Sequence, residues 1–468
     1  MTSLFVLTAL LAGPVHAKKP KAAPDAESVA ADLLGRSLSS SGAMDKLIEL
    51  CDDIGHRLSG SPQLQKAVTW GEAKMASEGL DTHLEEVMVP AWVRGHESAT
   101  LLDPVERPLN ILTLGRSVGT PEGGIEAEVI VVDNWDHLAA LGEAVKGKIV
   151  LYDVPFTDYG ATVQYRGDGA NRAARLGAVA VMVRSVSPSS LDTPHTGAMG
   201  YAEDLETRIP AVAVTLEDAA LMRRLSERKK TFRVRLDLGA HTLEDQLSHN
   251  VIGEIKGREK PDEIVLMGCH LDSWDVGQGA QDDGAGCTAI MEAGRLIAAL
   301  DTPPRRTLRV VLFTNEENGL RGGKGYAEAH KDEHFVAVME MDTGAGQPFG
   351  WRVDQRREDE AAAKALAEET MAWLAPIQDL LEPIGAHQLK AAGSGADIGP
   401  LVSQGALGLG VWMDTTGYWP IHHTRADTID KIDPMNLRRN VATLAVTAWS
   451  IAENPELPPG QRSTGSRH

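Results

Sequence analysis

The chain has 468 residues, of which 43% are hydrophobic and 24% are charged, and its formal net charge is −20. This length is enough for two or three domains, each with a core of its own. The negative charge argues against nucleic acid and against anionic membrane surfaces as partners.

The first seventeen residues have the pattern of an export signal. Residues 4–13 form a short apolar run, and Val15-His16-Ala17 is a suitable small-residue cleavage site. The run is too short to cross a bilayer, and no later segment of the sequence is apolar enough to do so. The segment Met1-Thr2-Ser3 lacks the usual positive charge, so a disordered N-terminus on a cytoplasmic enzyme is the alternative. We expect an exported protein, secreted or periplasmic, with no membrane partner.

After the signal, residues 18–40 are interpreted as a mature N-terminal tail rich in Lys, Pro, Ala and Ser. Helical spacing of apolar residues predicts helices over 44–54 and 63–78, the second ended by Gly79. Alternating polarity over 84–89 predicts a strand. We assign residues 41–114 to the first part of a catalytic domain.

Residues 115–240 have a different texture, made of short β-rich runs with one helical segment at 170–176. Strands are predicted at 127–132, 148–151, 178–183, 211–214 and 231–236. Because these strands carry no cluster of candidate ligands, we interpret residues 115–240 as a domain inserted into the catalytic one.

In residues 241–455 strands and helices alternate. Near-continuous apolar runs predict buried strands at 264–268, 308–313, 335–341 and 407–413. Helices are predicted at 287–300, 322–330, 358–374 and 434–453, the last with Asp433 as N-cap and Pro434 in its first turn. The alternation is typical of an α/β sandwich, and this segment is assigned as the second part of the catalytic domain. Residues 456–468 are predicted to be a flexible tail.

Imidazoles and carboxylates follow the predicted strands. Because the carboxyl ends of strands in an α/β sheet open into the crevice where ligands bind, we expect these side chains to meet there. Each motif alone is more often a surface pair, a solvated loop or a cap, so the prediction depends on the whole ordered set. Such ligands suit a pair of zinc ions placed to hydrolyse an amide. The candidate ligands are His270, Asp282, Glu317, Asp342 and His423.

The roles of the candidates follow from what two zinc ions need. Asp282, in a Gly-rich loop, suits the bridge between the ions; His270 with Asp342 would complete one ion, and Glu317 with His423 the other.

Two further carboxylates have other roles. Asp272, two residues after His270, is better placed to orient that imidazole than to bind metal. Adjacent Glu316 and Glu317 do not suit the same ion, so one of them is free to act as general base on the attacking water.

Three cysteines allow at most one disulfide and leave one residue over. Cys269 and Cys287 flank the ligand cluster, where a thiolate ligand would be one option. We interpret Cys269 and Cys287 as small buried hydrophobic residues beside the site.

These motifs resemble the co-catalytic di-zinc exopeptidases, a family that includes secreted aminopeptidases and carboxypeptidase Q. The shared segments are His270-Leu271-Asp272-Ser273, Gly279-Ala280-Gln281-Asp282-Asp283, Asn315-Glu316-Glu317, Asp342 and His423-Thr424-x-x-Asp427. A closer likeness to carboxypeptidase Q rests on Arg57-Leu58-Ser59-Gly60-Ser61, Val87-Met88-Val89-Pro90, Trp274-Asp275-Val276-Gly277-Gln278-Gly279 and the stretch 184–197.

The resemblance implies a mixed-sheet α/β/α sandwich of the phosphorylase/hydrolase-like type with an inserted β-rich protease-associated domain. It also implies two zinc ions per subunit and a homodimer. In this family the first Glu of the pair is the base, which is Glu316 here. His423 is chosen over His422 because only His423 stands four residues before Asp427.

The function expected is hydrolysis of dipeptides or short peptides with a free terminus. The alternatives are an aminopeptidase of broader specificity, a glutaminyl cyclase-like enzyme with a single zinc, and a non-catalytic binding module on the same fold. No residue in the sequence indicates which terminus of the peptide is recognised.

Overall fold

The computed structural model describes residues 25–189, 191–356 and 359–461. The export signal predicted over residues 1–17 therefore lies outside the described residues, as do parts of both predicted tails. Within the described ranges, no helix combines the length and the hydropathy needed to cross a membrane.

The centre of the catalytic half is an eight-stranded mixed sheet. In spatial order its strands are β1 (Asp81–Val89), β12 (Gln246–Ile255), β14 (Arg306–Phe313), β13 (Lys260–His270), β15 (His334–Glu340), β18 (Leu407–Met413), β16 (Pro348–Asp354) and β17 (Gln388–Ala391). The four strands β14, β13, β15 and β18 are mutually parallel. Their carboxyl ends therefore lie at one edge of the sheet.

The parallel strands are buried on both faces, as their apolar runs predicted. All eight residues of β14 are buried, and so are residues 263–270 of β13. The predicted strands at 264–268, 308–313, 335–341 and 407–413 are thereby confirmed. The sequence analysis missed β12, β16 and β17, because polar residues and glycine interrupt their hydrophobic pattern.

Helices cover both faces of this sheet. The chain forms α1 (Ala26–Ser39), α2 (Gly42–Ile48), α3 (Pro62–Ser77), α4 (Trp135–Leu141), α5 (Tyr159–Arg175), α6 (Leu216–Glu227), α7 (Ala285–Ala298), α8 (Arg321–Ala329), α9 (Glu360–Asp379), α10 (Gly399–Ser403) and α11 (Pro434–Glu453). One face packs against α1, α2, α3, α7, α9 and α11. The other face packs against α8 and α10, which completes three layers.

Residues 26–39 correct the tail predicted over 18–40, because they form α1. The Asp25 side chain accepts the Ser28 N–H at 3.2 Å and so caps the helix. Leu33 is fully buried in the core that α1 shares with α11. A composition rich in Ala and Ser hid a helix whose stability comes from tertiary packing.

A second eight-stranded sheet is built from residues 97–238. In spatial order it contains β4 (Arg107–Leu109), β3 (Glu97–Leu101), β10 (Arg233–Leu238), β6 (Ile125–Val132), β7 (Ile149–Tyr152), β8 (Ala180–Arg184), β9 (Ala211–Val214) and β5 (Ile111–Thr113). The strands β6 to β9 are parallel, and α4, α5 and α6 pack against the sheet. We call this part the second unit.

The second unit begins earlier than the boundary predicted at residue 115. The strands β3, β4 and β5 precede that position but pair within the second sheet. They are three to five residues long, and β4 contains Pro108, so they gave no strand signal. The chain passes from the catalytic half to the second unit near residue 93 and returns near residue 241. At these two places β2 (Trp92–Val93) and β11 (His241–Thr242) pair with each other as a short antiparallel ribbon.

Cys269 and Cys287 form the one disulfide that three cysteines allow, where the sequence analysis interpreted them as small buried hydrophobic residues. Cys269 precedes the last residue of β13 and Cys287 lies in the first turn of α7, and their Cα atoms are 5.2 Å apart. Cys51 is buried and free. The pairing was invisible in the sequence because it depends on how α7 packs beside β13.

Candidate metal centre

The five predicted ligands meet at the carboxyl edge of the parallel strands. His270 is the last residue of β13, and Asp342 stands two residues after β15. Glu317 lies in the turn after β14, and His423 in the loop after β18, at a φ of 60°. Asp282 stands in an irregular turn just before α7.

His270 defines one half of the cluster. Its Nε2 lies 3.1 Å from Asp282 Oδ1 and 3.2 Å from Asp342 Oδ1. Its Nδ1 lies 2.9 Å from the main-chain carbonyl oxygen of Asp272. The ring is therefore held from one side and presents its other nitrogen to two carboxylates.

His423 defines the other half in the same way. Its Nε2 lies 3.0 Å from Glu317 Oε2 and 3.2 Å from Asp282 Oδ2. Its Nδ1 lies 3.3 Å from the carbonyl oxygen of Thr196, and the Thr196 N–H donates to the His423 carbonyl at 3.0 Å. Thr196 belongs to the second unit, so that unit orients this histidine.

This arrangement suits a cation in each half. A carbonyl oxygen only accepts, so the Nδ1 atoms of His270 and His423 carry the protons. In a neutral ring the Nε2 lone pair then faces carboxylate oxygens, which is repulsive unless a positive charge lies between them. In addition, Asp282 Oδ2 and Glu317 Oε1 are buried without a hydrogen-bond partner among the described residues. The residues present therefore fit metal binding.

The direction of the pKa shifts of His270 and His423 agrees with this need for positive charge. Burial alone would lower the pKa of His270, but the facing carboxylates of Asp342 and Asp282 raise it well above its ordinary value. Burial would likewise lower the pKa of His423, but Glu317 and Asp282 outweigh burial and raise this pKa well above its ordinary value.

Asp272 contacts His270 differently from the prediction. Its main-chain carbonyl, not its carboxylate, accepts from the imidazole. The carboxylate accepts the N–H of Glu316 at 3.0 Å and the hydroxyl of Ser59 at 3.1 Å. Because the residue lies at the strand end, its side chain turns towards the neighbouring loop and holds the backbone of the predicted base.

Glu316 lines the cavity beside the cluster, and none of the short contacts to the two histidines involves it. Desolvation by burial, together with the negative charges of Asp342 and Glu317, raises the pKa of Glu316 well above its ordinary value. A carboxylate with this tendency to hold a proton is suited to proton transfer.

His422 lies against His423, with ring centroids 3.6 Å apart, and its Nε2 is 3.4 Å from Asp282 Oδ2. Burial and the charge of His423 lower the pKa of His422 well below its ordinary value. The geometry thus places both neighbouring histidines near Asp282, and only His423 also contacts Glu317.

A cavity of about 450 Å³ opens over the cluster. Tyr418 and Ala396 are part of its wall. The wall also includes Tyr159 and Trp419, whose rings stack with centroids 5.2 Å apart. Asp397, beside Ala396, is buried, and neither of its carboxylate oxygens has a hydrogen-bond partner in the described part of the chain.

Arg166 is a cavity residue that the sequence analysis missed. It lies on α5 of the second unit and is only 7% exposed. It donates to the carbonyl oxygens of Thr196 at 3.2 Å and Ala198 at 3.3 Å, and to the hydroxyl of Tyr159 at 2.9 Å. Within the described ranges it has no carboxylate partner. No sequence signal marks it, since only the packing of the two units brings it to the site.

Comparison with known proteins agrees with this architecture. The profile of Peptidase family M28 matches residues 250–448, and that of the PA domain matches residues 118–222. Carboxypeptidase Q from Bos taurus is 40% identical over 418 residues, which are 89% of this chain and 86% of that protein.

Two solved structures are similar. The peptidase M28 precursor from Shewanella amazonensis has a TM-score of 0.87 and 36% identity, covering 94% of this chain and 99% of that one. BSAP, a zinc aminopeptidase from Bacillus subtilis, shares the fold at a TM-score of 0.64 and 20% identity, covering 89% and 95%. The expected fold class, an α/β sandwich with a protease-associated domain, is confirmed. With a relative this similar over most of both sequences, the chain belongs to peptidase family M28.

Proposed function

We propose that the protein is a zinc-dependent exopeptidase that hydrolyses dipeptides or short peptides with a free terminus. Family membership supports peptide-bond hydrolysis, and the relatives at about 40% identity are carboxypeptidases by name. The cavity of about 450 Å³ lies within the size range of small-ligand sites.

The observation that carries the proposal is the position of Asp282 between the two histidines. Its Oδ1 faces His270 at 3.1 Å and its Oδ2 faces His423 at 3.2 Å. A carboxylate shared in this way suits the bridge of a pair of zinc ions. His270 and Asp342 would then hold one ion, and Glu317 and His423 the other. A single zinc ion would need the ligands of only one of these halves.

Zinc at these positions would supply Lewis-acid chemistry to the attacking water and to the scissile carbonyl. Glu316 takes the proton from the water and returns it to the leaving amine. Asp272 fixes the backbone of Glu316 through the hydrogen bond of 3.0 Å. Tyr418, Tyr159 and Trp419 form an aromatic part of the cavity wall.

Arg166 supports recognition of the carboxyl terminus of the peptide. A buried guanidinium without a carboxylate partner is costly, and a substrate carboxylate would compensate its charge. Among the described residues, the wall contains one other lysine or arginine, Lys324, but that side chain is exposed to solvent. The buried Arg166 is therefore the better partner for a free carboxylate. The proposed activity is therefore that of a carboxypeptidase or dipeptidase, and an aminopeptidase becomes the second candidate.

The test combines metal counting with dipeptides blocked at one terminus. We expect two zinc ions per chain, turnover of dipeptides with a free carboxyl group, and at least a tenfold loss of kcat/KM when that group is amidated. In Arg166→Met the same loss should appear with the free dipeptide. Arg172→Met, on the exposed side of the same helix, is the matched control.

Each rival has its own outcome in this experiment. Turnover that depends on a free amino group, and not on the carboxyl group, would indicate an aminopeptidase. One zinc with cyclisation of N-terminal glutamine would indicate the glutaminyl cyclase-like alternative. Absence of turnover over the whole dipeptide panel would indicate a binding module.

Export and homodimer formation are part of the proposal. The leader-like pattern of residues 1–17 and the disulfide between Cys269 and Cys287 both suit an oxidising compartment outside the cytoplasm. Fractionation of the expressing cells would test export, and sedimentation of the purified protein would test the dimer.

A further inference from the structure

We propose that Asp427 and Arg57 are positioning residues that fix the loop of residues 277–282, here called the bridge loop. By fixing its backbone they place the Asp282 carboxylate between the two histidines. The inference rests on the proposed role of Asp282 as a metal bridge. In the described part of the chain, the side chains of Asp427 and Arg57 bond to main-chain groups and make no ion pair with the predicted ligands, so both would act through Asp282.

Asp427 holds the amide groups of the bridge loop. Its side chain is buried, and its Oδ1 accepts the N–H of Gln281 at 2.7 Å while its Oδ2 accepts the N–H of Asp282 at 3.2 Å. Its main-chain carbonyl accepts the N–H of Gln278 at 2.7 Å. Three of the loop's amides therefore depend on one residue.

Arg57 holds the carbonyl groups of the same loop from the other side. Its fully buried guanidinium donates to the carbonyls of Gln278 at 2.8 Å and Gly279 at 2.9 Å. It also donates to the carbonyl of Leu271 at 2.7 Å, next to His270. The bridge loop is thus tied to the strand end that carries His270.

The loop is also packed against the segment that carries His423. Gly277 has a φ of 69°, and a Cβ there would lie 2.6 Å from the Thr424 carbonyl oxygen and 2.8 Å from that of Asp427. A side chain at Gly277 would separate the two loops. His270, Asp282 and His423 are consequently joined through backbone contacts that meet at Arg57 and Asp427.

The backbone decides where the Asp282 carboxylate lies, because its Oδ2 has no hydrogen-bond partner of its own in the described residues. Its contacts run to the imidazoles of His270, His422 and His423. A shift of the loop would carry the carboxylate away from these imidazoles. Loss of partners that orient a ligand typically weakens metal binding about 10- to 100-fold.

The test uses Asp427→Asn, which keeps the size of the side chain but leaves only one oxygen to accept two N–H groups. The matched control is Asp433→Asn, since Asp433 also accepts two backbone N–H groups, from Met435 at 2.8 Å and Asn436 at 2.9 Å, at the exposed start of α11. Zinc affinity is measured by competition with a chelator, and folding by the thermal midpoint of the metal-free proteins.

We expect D427N to bind zinc about 10- to 100-fold more weakly than the wild type. In D433N both the affinity and the thermal midpoint should stay near the wild-type values, because one oxygen, Oδ1, accepts both N–H groups and is kept in Asn. The conservative variant Arg57→Lys, which cannot reach all the carbonyls, should weaken zinc binding in the same direction. Refolding of a poorly folded D427N by saturating zinc would also support the proposal.

Two results would overturn the inference. One is wild-type zinc affinity in D427N, and the other is a D427N protein that stays unfolded in saturating zinc, because the residue would then serve the fold alone. The proposed function is judged separately, on the number of zinc ions that the wild type binds. The ratio of mutant to wild-type affinity remains readable whatever that number is.

Discussion

Buried charges are compensated differently at the two ends of the parallel strands in the catalytic sheet. At the amino end, Arg306 meets Glu263 at 2.7 Å, with both side chains 2% exposed. Arg309 meets Glu254 at 2.8 Å and Glu333 at 2.7 Å. Each buried or half-buried charge there has an opposite charge from the protein.

At the carboxyl end, negative charge gathers without an arginine or lysine ion pair to the clustered carboxylates in the described part of the chain. Among the described residues, the carboxylates of Asp282, Asp342 and Glu317 have ion-pair contacts with histidines only. Burial and nearby negative charges raise the pKa of Asp283 well above its ordinary value. Since unpaired buried carboxylates oppose folding, their gathering indicates a functional demand for a cation. The paired charges at the amino end thus stabilise the fold, whereas the carboxylates at the carboxyl end suit a bound cation.

The largest effect is expected from Glu316→Gln, which changes the carboxyl end without removing a proposed ligand. Loss of the base should lower kcat by roughly 10²- to 10⁴-fold, while bound zinc stays at the wild-type level. Steady-state kinetics and metal analysis measure both. Glu317→Gln is the control, because there the loss of activity should accompany a loss of zinc. Near-normal turnover in E316Q would contradict the assignment of the base.

At the amino end, Arg306→Met should change stability and leave the chemistry alone. It removes the partner of Glu263 and leaves a buried carboxylate, which costs about 3–5 kcal/mol of unfolding free energy. The urea midpoint of the zinc-loaded protein measures this loss, and kcat of the folded fraction should be unchanged.

The double variant Glu263→Gln with Arg306→Met sharpens this prediction. It should recover part of the lost stability, since no uncompensated charge remains. Equal midpoints for the single and double variants would show that lost packing, not the unpaired charge, causes the destabilisation.

The smallest effect concerns His330, which pairs with Glu85 at 2.8 Å and Glu333 at 3.2 Å. Burial lowers its pKa, but these carboxylates outweigh burial and raise it to about 9. A folded-state pKa above the unfolded value of about 6.5 stabilises the protein fully below that pH. This contribution is lost as the pH rises through about 9.

In His330→Asn, the thermal midpoint should therefore fall most at pH 6. It should approach the wild-type value above pH 9, because the pKa of His330 in the wild type is about 9. His96→Asn, at an exposed position just before β3, is the control for the substitution itself. A constant difference at all pH values would contradict the ion-pair account.

Much of the fold and of the site's geometry could be predicted from the sequence, because the relevant patterns are local. Buried parallel strands appear as apolar runs, and the residue that ends such a run must lie at the carboxyl edge of the sheet. That reasoning alone brought His270, Glu317 and Asp342 together. The Gly-rich segment before α7 likewise indicated a tight turn that carries Asp282. Their roles as zinc ligands stay a prediction.

The tertiary structure decided what no local pattern contains. Arg166 and Thr196 belong to the second unit, and only its packing against the catalytic half brings one to the cavity and the other to His423. The helix α1 gains its stability from contact with α11, some four hundred residues later in the chain. Sequence patterns report how one segment meets water or core, whereas these features depend on which distant segments meet each other.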